Sequence, residues 1–166
     1  MLIFCGTFIA GISFYLWSMS QVTNASQIQK ETGAIKTLLV QYKKSINEAD
    51  TALASKIWAH TAEVSFIHPR GHENGWEGVK NNVYRMFKNT FSARDLKSEN
   101  EIINVYGDVA WVEFDRVFDA TFAGEKPTPL HTKGIETQIL KKIKTEWRIE
   151  HIHYSGLPVV EPQKGF

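Results

Sequence analysis

The chain has 166 residues, the size of one domain, and 43% hydrophobic with 12% aromatic side chains excludes a disordered chain. A net charge of +1, with Lys and Arg scattered, gives no basic footprint, so nucleic acid is not an expected partner. Cys5 is the only cysteine, which rules out an internal disulfide.

The first 29 residues carry no Asp, Glu, Lys or Arg, and "MLIFCGTFIAGISFYLW" is almost uniformly apolar. The run is too apolar for a surface helix and marginal in length for a membrane span. It reads as a signal peptide or signal anchor over residues 1–25, although no basic region precedes it. Small residues suited to cleavage follow at Ser18-x-Ser20 and Thr23-x-Ala25. Phe4 before Cys5 argues against a lipid-modified cysteine. The expected organisation is a leader over 1–25, a folded domain over 26–160 and a tail over 161–166. Location is expected to be exported, periplasmic or secreted, or anchored by 1–25, with no other membrane contact.

The domain opens with a helix. Ser26 and Gln29 form a capping-box pattern, and Ile35, Leu38, Leu39, Tyr42 and Ile46 recur at the helical period. Asp50 can cap a second short helix carrying Leu53, Ile57 and Trp58. "EVSFIHP" is a short strand stopped by Pro69, and "RGHENG" is a loop. A third helix follows, with Val79, Val83, Met86 and Phe87 on one face. Residues 97–106 read as a strand, Gly107-Asp108 as a hairpin turn, and 109–122 as a long strand. After a Pro-containing loop come strands over 130–142 and from Trp147 to Ser155, joined by a turn at 143–146. The basic "KKIK" at 141–144 reads as a solvated turn. Helices segregated from an antiparallel sheet make this an α+β fold, a curved sheet packed on three helices as an open cone.

In "AWVEFDRVFDAT" (residues 110–121), Ala110, Val112, Phe114, Phe118 and Ala120 form one row of the strand, with Arg116 in its middle. Desolvating that charge costs several kcal/mol unless it is paired. On the next strand, Thr132, Gly134, Glu136, Gln138 and Leu140 form the matching row. Two readings follow: an interior ion pair with Glu136, or a cation at the floor of a pocket. His68, at a strand end before Pro69, is a candidate general base. Trp58, Trp76, Phe87 and Phe114 are candidates for an apolar lining, or for plain core. His151 and His153, roughly 7 Å apart on one strand face, share a row with Trp147 and Ile149. They would need a third ligand from His60, His68, His72 or His131 to hold a metal, and no spacing selects one. No metal and no cofactor are expected. No GxSxG, phosphate-binding glycine loop or dinucleotide fingerprint is present.

The ending "WRIEHIHYSGLPV", with Trp147, Arg148, His151, His153, Ser155, Gly156 and Pro158, resembles the end of the association domain of calcium/calmodulin-dependent protein kinase II and of the related SnoaL-like proteins. Pro69 in "FIHP", Glu77-Gly78, Gly107-Asp108 and Glu136-Thr137 agree with it, and the likeness spans about residues 32–160. It implies the cone-shaped α+β fold of nuclear transport factor 2 and ketosteroid isomerase. Of three pocket arginines in the association domain, the first matches Arg116; Gln138 and Tyr154 replace the other two. The resemblance therefore points Arg116, Gln138 and Tyr154 inward and argues against a ligand with several negative charges. A family glutamate before the strand-end proline is His68 here. No Asp aligns with the isomerase's general base, and no kinase signature is present.

Three functional expectations follow. The first is a homodimeric or larger binding module that holds a small polar or singly anionic ligand against Arg116, with Gln138, Tyr154, Glu136, Trp76, Phe87 and Phe114 around it. The second is an isomerase, lyase or cyclase acting on a small carbonyl compound. There His68 or Glu136 takes the proton, and Tyr154 with Arg116 steadies the enolate. The third is an assembly domain without a ligand.

Overall fold

The computed structural model describes the backbone of residues 6–157 and side chains from residue 25 to residue 157. Helix α1 spans Gly6–Glu48, and α2 spans Thr51–Ile57. Strands β1 (Ser65–His68) and β2 (Gly71–Asn74) precede a helical stretch made of α3 (Gly75–Gly78), a π-helical segment (Val79–Tyr84) and α4 (Arg85–Thr90). The long strands are β3 (Phe91–Tyr106), β4 (Val109–Phe122), β5 (Pro129–Ile143) and β6 (Glu146–Gly156). They form one six-stranded sheet in the order β2-β1-β6-β5-β4-β3. The fold is α+β, as the sequence implies. The sheet is mixed rather than purely antiparallel, because β1 runs parallel to β6.

The helices keep the faces that their periodicity assigns. Ile35, Leu38, Leu39, Tyr42 and Ile46 are all buried. Asp50 caps α2, its Oδ1 accepting from the Ala52 and Leu53 N–H groups at 2.9 and 3.0 Å. Ser26, expected as a cap, lies inside α1, since nothing in the uncharged stretch before it breaks a helix. Residues 25–30 are exposed, and packing starts at Glu31, which accepts from Trp147 Nε1 at 2.8 Å and from Lys142 Nζ at 2.7 Å. Among the described residues no helix is long and apolar enough to cross a membrane. The side chains of residues 1–24, on which the leader reading rests, lie outside the described ones.

"RGHENG" is not a loop throughout, because Gly71–Asn74 pair with β1 from Ser65↔Asn74 to His68↔Gly71. Pro69 and Arg70 make the two-residue turn, and proline's fixed φ suits the first corner of such a turn. Three irregularities shape the sheet, the first at the start of β3 between Phe91 and Ala93. The second interrupts β3 between Glu99 and Ile102, with Asn100 at φ 55°. The third falls in β6, where Ile139 faces His151 but Leu140 faces Ile149, so Glu150 is the extra residue. A one-residue slip moves the following side chains to the other face. Trp147 and Ile149 point into the core before the bulge; Ile152 does so after it, and Tyr154 follows on that row. His151 and His153 therefore do not share a row with Trp147 and Ile149, as strict alternation predicts. They stand on the outer face.

Gly134 faces Arg116 across the β4–β5 ladder. A Cβ there would lie 2.0 Å from the Ser155 carbonyl oxygen and 2.5 Å from Tyr154 Cε2. The missing side chain is what lets the Tyr154 ring cross β5. Gly134→Ala is expected to cost about 1–3 kcal/mol through overpacking and to displace Tyr154. Gly156→Ala, which meets nothing within 4 Å, should change stability by less than about 0.5 kcal/mol. Urea denaturation of the two variants checks the contrast; equal stabilities would mean that Tyr154 does not depend on Gly134.

Candidate functional site

The open end of the cone holds a cavity of about 240 Å³. Strand β1 and its turn, the helical stretch, and the open ends of β3 to β6 all contribute to its wall. Phe66, Phe87, Phe91 and Phe118 supply ring surface, with Val83, Met86 and Leu130 between them. The polar groups are few: His68, Arg70, Arg116, Thr132 and Tyr154.

Arg116 is 6% exposed and Glu136 is fully buried. Its Nε lies 3.2 Å from Glu136 Oε2. The other carboxylate oxygen accepts from Gln138 Nε2 at 2.8 Å. The guanidinium carbon sits 4.2 Å from the centre of the Tyr154 ring and 4.8 Å from that of Phe118. Such placement over ring faces stabilises a cation when it is desolvated. Nε is enclosed and has no well-aligned hydrogen-bond acceptor. Neither Nη atom donates a hydrogen bond among the described residues, and Arg116 lines the cavity.

Burial raises the Glu136 pKa; Arg116 and the hydrogen bonds from Gln138 and Tyr42 pull the other way. Tyr42 lies fully buried beside Glu136, and burial together with that carboxylate pushes its phenol well above the usual value. Deeper in the core, burial pushes Tyr84 up to about 12. Ser45 Oγ donates to the Tyr42 carbonyl at 2.7 Å, so the 2.9 Å contact between the Ser45 and Tyr84 hydroxyls is donated by Tyr84. Trp58 Nε1 donates to the same Tyr84 oxygen at 3.2 Å.

His68 is held through one ring nitrogen. Its Nδ1 accepts from the Arg70 N–H at 3.3 Å, which places the ring proton of the neutral imidazole on Nε2. That nitrogen lies 3.5 Å from Glu73 Oε1. The second Glu73 oxygen accepts from Asn82 Nδ2 at 2.5 Å. The ring meets Phe66 edge-on, 5.4 Å between centres.

The residues expected at the site divide into three groups. His68, Phe87, Arg116 and Tyr154 share the cavity wall. Glu136 and Gln138 stand behind Arg116, fully buried. Trp76 and Phe114 are off the wall: Trp76 stacks on His60 at 5.2 Å between ring centres, and Phe114 lies in the core at 2% exposure. Sequence reasoning passed over Arg70 and Glu73, because "RGHENG" reads as a loop. It passed over Phe66 too, although Phe66 stands two residues before His68 on the same strand. His151 Nδ1 lies 2.6 Å from Ser65 Oγ, and His131 Nδ1 lies 2.6 Å from Asp119 Oδ1. Among the described residues no three His, Cys, Asp or Glu are placed to hold a metal.

The buried pair yields a test. Removing one partner strands a desolvated charge, at about 3–5 kcal/mol, whereas apolar replacement of both is often close to neutral. Arg116→Met and Glu136→Leu should each destabilise the fold strongly, and the double variant should lose much less than their sum. Additive losses in chemical denaturation would refute a coupled pair.

No protein of curated function matches the chain. Among solved structures, a nuclear transport factor 2-like superfamily protein from Salmonella enterica serovar Typhimurium is 39% identical, with a TM-score of 0.76, over 86% of this chain and 99% of that one. A putative dehydratase of the same superfamily from Streptomyces avermitilis is 14% identical, with a TM-score of 0.71, over 79% of this chain and 99% of that one. A putative scytalone dehydratase from Novosphingobium aromaticivorans is also 14% identical with a TM-score of 0.71, over 81% and 89%. Those two likenesses speak for the fold alone. A family model described as the SnoaL-like domain matches residues 35–160. With the cone sheet, this match and the Salmonella relative in agreement, the chain belongs to the SnoaL-like family of the nuclear transport factor 2-like superfamily.

Proposed function

We propose that this protein binds a small molecule in the cavity of its cone, with an apolar body against the phenylalanines and a polar atom hydrogen-bonded to Arg116. The observation that carries this reading is the partly unused guanidinium. Arg116 is buried and paired through Nε, yet it leaves its Nη donors toward an apolar cavity of about 240 Å³. Buried donors without acceptors cost stability, and a carbonyl, hydroxyl or carboxylate would satisfy them. Glu136 and Gln138 act from behind by holding the guanidinium. Tyr154 covers it and keeps its hydroxyl near the rim, 3.5 Å from the Lys133 carbonyl oxygen.

One observation favours a second reading, acid–base chemistry on a small carbonyl compound. The Arg70 N–H gives His68 one tautomer, whose basic lone pair, on Nδ1, meets a substrate proton only when that 3.3 Å bond opens. Two proteins of this fold bear the names putative dehydratase and putative scytalone dehydratase. In this reading His68 takes the proton, and the Arg116 Nη groups with the Tyr154 hydroxyl steady the oxyanion.

The working unit in this proposal is a homodimer or larger homo-oligomer built on the outer face of the sheet. Ile102, Val109, Ile135 and Ile139 are exposed there, and Trp111 stands opposite Ile139. Glu113 on β4 and Lys141 on β5 flank the strip. A second copy related by a twofold axis lays acid against base. Export or anchoring through residues 1–25 completes the proposal.

Binding is tested by a thermal-shift screen with small carboxylates and hydroxy-aromatics. At 100 times its Kd a ligand stabilises by about 2.7 kcal/mol. Shifts in the wild type that vanish in Arg116→Met/Glu136→Leu support the reading. No shift in the wild type, or equal shifts in both, overturns it. For assembly, Ile139→Asp is expected to move the sedimentation coefficient to that of a monomer; an unchanged oligomer places the interface elsewhere.

A further inference from the structure

The polar wall of the cavity carries two permanent cations, and their charges are met very differently. Arg116 already has a carboxylate 3.2 Å from Nε and two aromatic rings against its carbon. A ligand carboxylate at the floor would be the second anion on one guanidinium, beside a desolvated Glu136. Like charges that close disfavour each other's ionised form. The floor is suited to a neutral acceptor such as a carbonyl or hydroxyl.

Arg70 is the opposite case. It is exposed at the corner of the β1–β2 turn, lines the cavity, and has no ion pair among the described residues. The nearby acid, Glu73, is occupied by His68 and Asn82. Pro69 before it and the bond from its own N–H to His68 Nδ1 hold its backbone at the mouth. An anion bound there keeps part of its hydration, so it gains a charge-assisted hydrogen bond without full desolvation.

We propose that Arg70 is the anion-recognising residue of this cavity and that the ligands are small monocarboxylic acids whose apolar body carries a neutral hydroxyl or carbonyl at its inner end, bound with that oxygen at Arg116 and the carboxylate at the mouth. This rests on the cavity being a binding site, and it adds the ligand class and its orientation. It also moves the charge recognition from Arg116 to Arg70.

The test is titration calorimetry on the 166-residue chain with 4-hydroxycinnamate and 4-hydroxycinnamamide, which differ in charge but hardly in shape and both carry a hydroxyl for the floor. Wild type is expected to bind the acid about tenfold more tightly, a difference of about 1.4 kcal/mol. Arg70→Gln should erase that preference and leave the amide affinity unchanged, and Arg70→Lys should keep most of it. The preference should shrink between 50 and 500 mM salt, since a charge at the mouth is screened. A preference that survives in Arg70→Gln, or a wild type that binds the amide as well as the acid, overturns the assignment while leaving the cavity a binding site. If neither compound binds the wild type, the assignment fails together with the cavity reading for ligands of this size. Arg70 is exposed, so unchanged melting temperatures will show that the variants are folded.

Discussion

Burying one guanidinium organises the open end of this fold. Arg116 sits in a row of apolar side chains, and an arginine is stable there only if its charge and its stem both find partners. Glu136 meets the charge from the neighbouring strand. Phe118 and Tyr154 cover the faces of the guanidinium. Each partner sets a condition of its own. Glu136 needs Gln138 and Tyr42 around it, because a buried carboxylate with open lone pairs is costly. Tyr154 needs the bulge at Glu150 to face inward, and it needs Gly134 to cross β5 without a clash. A cation placed mid-strand thus dictates a glycine on one neighbouring strand and an irregularity on the next but one.

The arrangement divides the work of the cavity between floor and mouth. The floor offers donors without net charge while Glu136 is ionised. The mouth offers charge with access to water. His68 stands between them with its tautomer fixed by the Arg70 backbone N–H. The turn at Pro69–Arg70 therefore serves two groups: its backbone orients the imidazole, and its side chain supplies a cation with no ion pair among the described residues. This explains why the two-strand β1–β2 hairpin, the smallest part of the sheet, carries much of the polar chemistry.

The architecture was legible wherever one period ran unbroken. The inward row of β4 could be read from Ala110 to Ala120 because burial alternates there, broken only by Val117, which is buried on the other row. The inward face of α1 followed from its 3.6-residue spacing, and Asp50 from its capping chemistry. Legibility failed where the period breaks. The Glu150 bulge leaves no compositional mark, so His151 and His153 were assigned to the row of Trp147. Strand β2, "GHEN", has little intrinsic strand propensity and exists because β1 supplies its partner. That miss also hid Arg70 and Glu73. Trp76 and Phe114 were plausible lining by size, but size does not tell a cavity wall from the layer behind it. Arg116 itself was legible as an anomaly. Its pairing with Glu136 was legible as one of two alternatives, and the structure places that carboxylate 3.2 Å from Nε.

Acidity acts on this pair in a definite direction. Burial raises Glu136 above the ordinary carboxylate range. The folded protein therefore binds that proton more tightly than the unfolded chain does. The associated stability is fully present below the unfolded value and declines as pH rises through the folded one. While Glu136 is ionised, its charge and that of Arg116 cancel at the floor. On acidification it is among the first carboxylates to take a proton, and Arg116 then faces the cavity as an uncompensated cation. Arg70 keeps its charge throughout. In the proposed binding mode the cavity takes an anion at its mouth when Glu136 is ionised, and it gains a second anion-binding point at its floor only when that proton arrives.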